Sequence, residues 1–381
     1  MRLLVLLTSA SLLLYLSAAS PIEKRAQCAS QLSLAATIAD RLVSYWYNPT
    51  LGYFNSGSLW TDANTYEDMN NLMLAAGTNT YYTLDENSQT GKDGQAASAS
   101  TWASTINGSN DDSLWLVLTM WKIADYLTTR GKDATGYLNS ATEIYNMIAA
   151  EWDTTNCGGG VWWSTAHTYK NAITNELFLL TSASGYLRTG EASYLANAQK
   201  EWTWLNQTGM RNSQGLYNDG LDLITCANNG QTTWTYNQGV IASGLAALSV
   251  ATGDKSLLDI AEVTLDAAFS NLTQGGILKE SCDDAAAGGS QCNHDQQLFK
   301  GLLMKHLQYY LDMANDPVRT AKYAPIIDAQ ASAVLHYGKN AANDIGSVWY
   351  APDSGGSVWQ PEASASGLAV IVAAAKYGTC L

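Results

Sequence analysis

YLTTRGKDATGYLNSA (126–141), YLRTGEASYLANA (186–198) and SVATGDKSLLDIA (249–261) share one pattern: the apolar end of a helix, a turn containing glycine, then a polar residue opening a second apolar stretch. Glycine supplies the left-handed position that closes a helix, and the Asp, Glu or Ser after it supplies an oxygen for the next helix start. Each stretch therefore reads as a helical hairpin. The first helices of successive hairpins begin near Asp111, Asn171, Trp234 and Asp295, a repeat of about sixty residues. The same register adds helices near Asn64–Ala76 and Glu362–Tyr377, which makes six. Their partners fall over 92–105, 138–151, 191–206, 254–271, 319–337 and 29–46. With a 3.6-residue period and no strand ladder, the expected fold is all-α: an (α/α)6 barrel, a toroid of six hairpins closed by the first helix packing beside the last. LFLLTSASGYL (177–187) and GVIASGLAALSV (239–250) are apolar on all sides, as helices surrounded by other helices must be.

The polar starts of the inner helices then converge at one end of the barrel. They read Asn64/Glu67/Asp68, Asn110/Asp111/Asp112, Asn171/Asn175/Glu176, Tyr236/Asn237/Gln238 and His294/Asp295/Gln296. Such a ring makes a polar cleft. Long loops add Gly158-Gly159-Gly160-Val161-Trp162-Trp163 and Tyr217-Asn218-Asp219-Gly220. The adjacent pair Asp111-Asp112 stands out in NGSNDDSLWLVLTMWKIADYL (107–127). Aspartate at a helix start is also ordinary capping chemistry, because it accepts free N–H groups and suits the helix dipole. Two carboxylates held side by side nevertheless acquire split proton affinities, and one acid beside one anion is what glycoside cleavage requires.

The compartment is legible as well. Met1-Arg2, an apolar run to Leu16 and small residues to Ser20 read as a signal peptide (1–20). Residues 21–25 end in the dibasic Lys24-Arg25 and read as a short propeptide, leaving 26–381 as a single catalytic domain. No second stretch is long enough to span a bilayer, and KYGTCL lacks the apolar tail of a lipid-anchor signal, so a secreted, extracellular protein without a membrane anchor is expected. Six cysteines in an exported chain allow fifteen pairings. The most economical set is Cys28–Cys380, Cys157–Cys226 and Cys282–Cys292. Asn107, Asn206 and Asn271 begin glycosylation sequons. Without residues 1–25 the chain carries 17 basic against 33 acidic side chains, a net charge of −16. That charge repels nucleic acid and anionic membranes and favours a neutral substrate. Thirteen Trp and 21 Tyr against four Phe suit stacking on sugars, although buried aromatics with a polar handle give the same excess. The four histidines are scattered and no cysteine spacing suits zinc, so no metal and no cofactor are expected; a monomer is the default.

Retention of configuration needs two carboxylates about 5–5.5 Å apart, which neighbours at a helix entrance can meet. Inversion needs about 6.5–9.5 Å and would instead recruit Glu176 or Asp295. Five blocks occur in order: NDDSLW (110–115), CGGGVWW (157–163), YKNAITNELFLL (169–180), TTWTYNQGVI (232–241) and CNHDQQLFKG (292–301). They resemble the signature blocks of glycoside hydrolase family 76, over about residues 29–377. The resemblance implies a secreted fungal endo-α-1,6-mannanase on an (α/α)6 barrel, with α-1,6-mannan or mannoprotein glycan as partner. It also implies Asp111 as nucleophile and Asp112 as general acid/base, with retention at C1. Trp162 and Trp163 are implied as stacking walls, and Asn175, Tyr236, Asn237 and Asp295 as hydroxyl contacts. LWTDANTYEDMNNLM (59–73) departs from the block that anchored wall-crosslinking members carry on their first inner helix, which favours hydrolysis. Transglycosylation on GPI-linked mannan, and a mannan-binding protein without catalysis, remain the alternatives.

Overall fold

The computed structural model describes residues 27–55, 57–96, 98–106, 108–284, 288–352 and 355–380. The expected leader (1–20), propeptide (21–25) and the sequon residue Asn107 lie outside them. In chain order the helices are α1 (Ala29–Arg41), α2 (Leu59–Ala76), α3 (Tyr82–Asn87), α4 (Gln89–Ala96), α5 (Ala99–Thr105), α6 (Asn110–Thr129) and α7 (Thr135–Ala149). They continue as α8 (Ala172–Thr189), α9 (Ala192–Gln207), α10 (Thr235–Thr252), α11 (Ser256–Asn271), α12 (His294–Ala314), α13 (Pro317–Ala333) and α14 (Pro361–Tyr377). Among the described residues the only strand pairs are three antiparallel two-residue hairpins in loops: β1 (Tyr47–Asn48) with β2 (Tyr53–Phe54), β3 (Thr273–Gln274) with β4 (Ile277–Leu278), and β5 (Asp283–Asp284) with β6 (Gly289–Ser290).

Helices α2, α6, α8, α10, α12 and α14 pack each on the next, and α14 returns to α2, closing a ring. This is the (α/α)6 barrel. Its inner helices are buried almost end to end: every residue of α10 from Thr235 to Ser249 is buried, as an apolar sequence on all sides requires. Close approach depends on absent side chains. A Cβ on Gly301 of α12 would lie 2.3 Å from Ser366 Cα of α14, and the Gly301 amide instead donates to Ser366 Oγ at 2.7 Å. Gly190 and Gly253 end α8 and α10 at φ of 73° and 77°, the left-handed caps on which the hairpin reading rests.

Outer helices α7, α9, α11 and α13 follow their inner partners, and α1 lies against α14 and α2. Cys28 is bonded to Cys380 and its amide donates to Ala375 O at 2.9 Å, joining the start of α1 to the end of α14. Cys157–Cys226 and Cys282–Cys292 are the other two bridges. Asn206 and Asn271 sit on the surface at the ends of α9 and α11.

Two expectations need correction. The outer helix foreseen over 92–105 is broken into α4 and α5, with the short α3 ahead of them, and α4 and α5 each have their own start. Ser88 Oγ accepts from Gly91 N at 3.0 Å, and Ser98 Oγ from Thr101 N at 3.1 Å. Gly91 and Gly94 weaken helix propensity there, and Gly94 is required for packing, because a Cβ would meet the Tyr137 ring at 2.9 Å and Met120 Sδ at 2.7 Å. The first inner helix starts at Leu59, five residues before Asn64, with a Ser58–Thr61 capping box. Asn64, Glu67 and Asp68 are consequently not at the mouth. They are buried one turn and more inside the barrel around Lys305, whose Nζ is 2.7 Å from both Asn64 Oδ1 and Glu67 Oε2 and 3.3 Å from Asp68 Oδ1.

Candidate active site

The N-terminal ends of the inner helices α2, α6, α8, α10 and α12 surround a cleft of about 530 Å³. Asp111 and Asp112 occupy the first turn of α6, where N–H groups lack intrahelical partners. Both Asp111 oxygens are engaged: Ser109 Oγ donates to Oδ1 at 2.9 Å and Trp163 Nε1 to Oδ2 at 3.1 Å. Burial pushes the Asp111 carboxyl up to about 6, while Ser109, its own backbone N–H, the Trp163 indole and the Asp112 N–H act to lower it. Asp112 is pushed further, to about 8, by burial and then by the Asp111 charge; Ser109 opposes this and Asp295 adds to it. The pair therefore divides into an anion and an acid near neutrality.

Asp295, in the first turn of α12, lines the same cleft and accepts from Trp60 Nε1 at 2.9 Å. Tyr236 of α10 lines it too, its ring stacked on Phe299 with centroids 3.8 Å apart. Trp163 is 45% exposed, so it offers a ring face to the cleft while its N–H holds Asp111. The rest of the lining includes Trp60, Trp115, Trp234, Phe299, Tyr169 and Asp219. Tyr169 donates its hydroxyl to Asp219 Oδ2 at 2.6 Å, joining the start of α8 to the 217–231 loop.

Three residues foreseen at the site stand behind it. Trp162 is buried, stacked on His167 with Lys170 Nζ 4.6 Å from its ring centre, and does not line the cleft. Asn175 is spent on backbone: Oδ1 accepts from Val161 N at 2.7 Å, and Nδ2 donates to Val161 O at 3.1 Å and Asn171 O at 2.7 Å. Asn237 is fully buried in α10 outside the lining, and neither amide atom has a partner among the described residues. Its neighbour Gln238 holds Tyr217, accepting from its N at 2.8 Å and donating to its O at 2.9 Å. Glu176 is likewise buried below the lining, with burial and then Asp219 raising its carboxyl well above the usual range.

Sequence reasoning passed over Trp60 and Phe299. Trp60 could have been found from the Ser58–Thr61 capping signal, which starts α2 early and sets the indole level with Asp295. Phe299 gives no such signal, since its spacing on α12 is that of any buried helix residue.

The class these features define is the glycoside hydrolases built on an (α/α)6 barrel. The chain belongs to glycosyl hydrolase family 76, whose family model matches residues 30–377. Among curated relatives, mannan endo-1,6-alpha-mannosidase DCW1 of Candida albicans is 29% identical over 216 residues, 54% of this chain and 47% of that protein. Mannan endo-1,6-alpha-mannosidase DFG5 of Saccharomyces cerevisiae is 27% identical over 291 residues, 68% of this chain and 59% of that protein. The chain thus spans about half the length of these relatives. An inactive variant of an alpha-1,6-mannanase of Salegentibacter sp., solved in complex with alpha-1,6-mannotriose, shares the fold with a TM-score of 0.75 at 20% identity, covering 91% of this chain and 99% of that one.

Proposed function

We propose that the protein is a secreted endo-α-1,6-mannosidase that cleaves internal bonds of α-1,6-mannan with retention of configuration, residues 26–381 acting as one catalytic domain. The observation that carries this reading is the unequal setting of two adjacent carboxyls: Asp111 receives donors on both oxygens, and Asp112 is pushed to higher proton affinity beside it. Relatives named for mannan endo-1,6-α-mannosidase activity and a fold neighbour holding α-1,6-mannotriose support the substrate.

In the first step an Asp111 oxygen attacks C1 of the bound mannosyl unit as the C1–O bond breaks, and Asp112 gives its proton to the departing oxygen. In the second, Asp112 takes a proton from water, the water oxygen bonds to C1, and the Asp111 carboxylate leaves. Trp163 and Tyr236 supply ring surface, while Asp295 accepts from sugar hydroxyls. Asp111→Asn is expected to abolish turnover of unbranched α-1,6-mannan in a protein that melts like wild type. Full turnover in that variant overturns the proposal.

A further inference from the structure

Lys170 stands just before α8 with its side chain fully buried. Its Nζ donates to three backbone carbonyls, those of Asp153 at 2.8 Å, Asn156 at 2.7 Å and Gly159 at 2.7 Å, and lies 3.6 Å from Asp153 Oδ2. An ammonium group out of water is stable only when its donors are satisfied, so the ion and the loop fix one another. The carbonyl of Lys170 also accepts from Leu221 N at 3.1 Å, which ties in the loop carrying Asp219.

None of these atoms touches the cleft; the chain path connects them to it. The loop held by Lys170 runs through Gly159 and Gly160, pressed so closely on Trp204 that a Cβ on either would fall 2.6 Å or less from its ring. It continues through Val161, gripped at both backbone atoms by Asn175, into Trp163. Trp163 donates its backbone N–H to Tyr169 O at 2.8 Å, accepts from Asn110 N at 3.0 Å, and delivers its indole N–H to Asp111.

We infer that Lys170 is a positioning residue that sets Trp163 against Asp111 by folding the 153–163 loop onto the barrel. The inference rests on the reading of Asp111 as nucleophile. The charged and titratable groups around this path include Asp153 and Glu201 near Lys170, His167 against Trp162, Tyr169 against Trp163, Asp112 beside Asp111, and Asp219, Tyr236 and Asp295 across the cleft.

The test follows the Trp163 indole resonance by 1H–15N NMR, assigned by its loss in Trp163→Phe, together with kcat/KM on unbranched α-1,6-mannan. Lys170→Met is expected to move the indole resonance and to lower kcat/KM at least about tenfold, because misplacing a catalytic group by about an ångström costs that much or more. In a Trp163→Ala background, which lacks both ring and donor, the same substitution is expected to change kcat/KM less than about twofold, the signature of two residues acting in series. A purely structural lysine gives losses that multiply. Multiplying losses, or an unmoved indole with full activity, overturn the inference. If Lys170→Met does not fold, Lys170→Arg keeps the charge but presents a planar fork to three converging carbonyls. The indole is then expected to move in a folded protein, and an unmoved indole overturns the inference. Should wild type leave mannan uncut, the functional reading fails, while the indole resonance still reports on positioning.

Discussion

Trp163 Nε1 lies 3.1 Å from Asp111 Oδ2, so an indole exposed enough to meet a sugar is also what holds the proposed nucleophile in place. A hydrogen bond to a charged group contributes about 1.5–3 kcal/mol, which corresponds to roughly a ten- to hundredfold change. Trp163→Phe keeps a ring for stacking and removes only the donor. It is expected to lower kcat/KM by that factor and to raise the acid limb of the pH–rate profile, since Asp111 then ionises less readily. An unchanged acid limb would show that the N–H has no part in holding the charge.

In the proposed mechanism, activity of the wild type requires Asp111 ionised and Asp112 protonated. With burial pushing them to about 6 and about 8, a bell-shaped kcat/KM profile with its maximum near neutrality is expected. A profile that stays level above pH 8 instead of falling would mean that no protonated Asp112 is needed.

Asp112→Asn removes the proposed proton donor and leaves Asp111 intact. A loss of about 10²–10⁴ is expected on mannan, with much of it recovered on a mannoside whose leaving group needs no proton. Equal losses on both substrates would move Asp112 out of the acid role.

Asp85 offers a stability test away from the cleft. It is buried, accepts from Asn70 Nδ2 at 2.8 Å on Oδ1, has no partner on Oδ2 among the described residues, and burial pushes it from 3.8 up to about 8. A carboxyl with a raised folded-state pKa contributes stability that is complete below the unfolded value and is lost as pH rises through the folded one. Asp85→Asn is therefore expected to match wild type in Tm near pH 4 and to exceed it increasingly up to about pH 8, where the difference levels off. A constant Tm difference across that range would contradict the neutral buried acid.

The Cys28–Cys380 bridge closes the ring between α1 and α14 over 352 residues of chain. Replacing both cysteines by alanine is expected to cost about 2–4 kcal/mol, read as a lowered Tm with the cleft chemistry retained. An unchanged Tm would mean that helix packing alone secures the closure.

The six inner helices and their ring closure were legible because an inner helix surrounded by others must be apolar on every side, and glycine marks the ends of α8 and α10 at Gly190 and Gly253. Which polar residues face the cleft was less legible. Trp162 and Trp163 are adjacent in a stretch outside any helix, and neither residue type says which ring turns inward over Lys170 and which outward onto Asp111. Asn175 and Asn237 carry the residue types of hydroxyl contacts, yet one is consumed by Val161 and the other is buried in its helix. Glu67 and Asp68 look like cleft carboxylates until Lys305, more than two hundred residues later in the chain, is placed between them.

The proposed glycosyl-enzyme on Asp111 is tested by incubating the protein with unbranched α-1,6-mannan and following the first-formed reducing ends by 1H NMR, with product sizing in the same samples. Internal cleavage to shorter mannan with the α-anomer appearing first is expected. The β-anomer appearing first, or no new reducing ends at all, would contradict it.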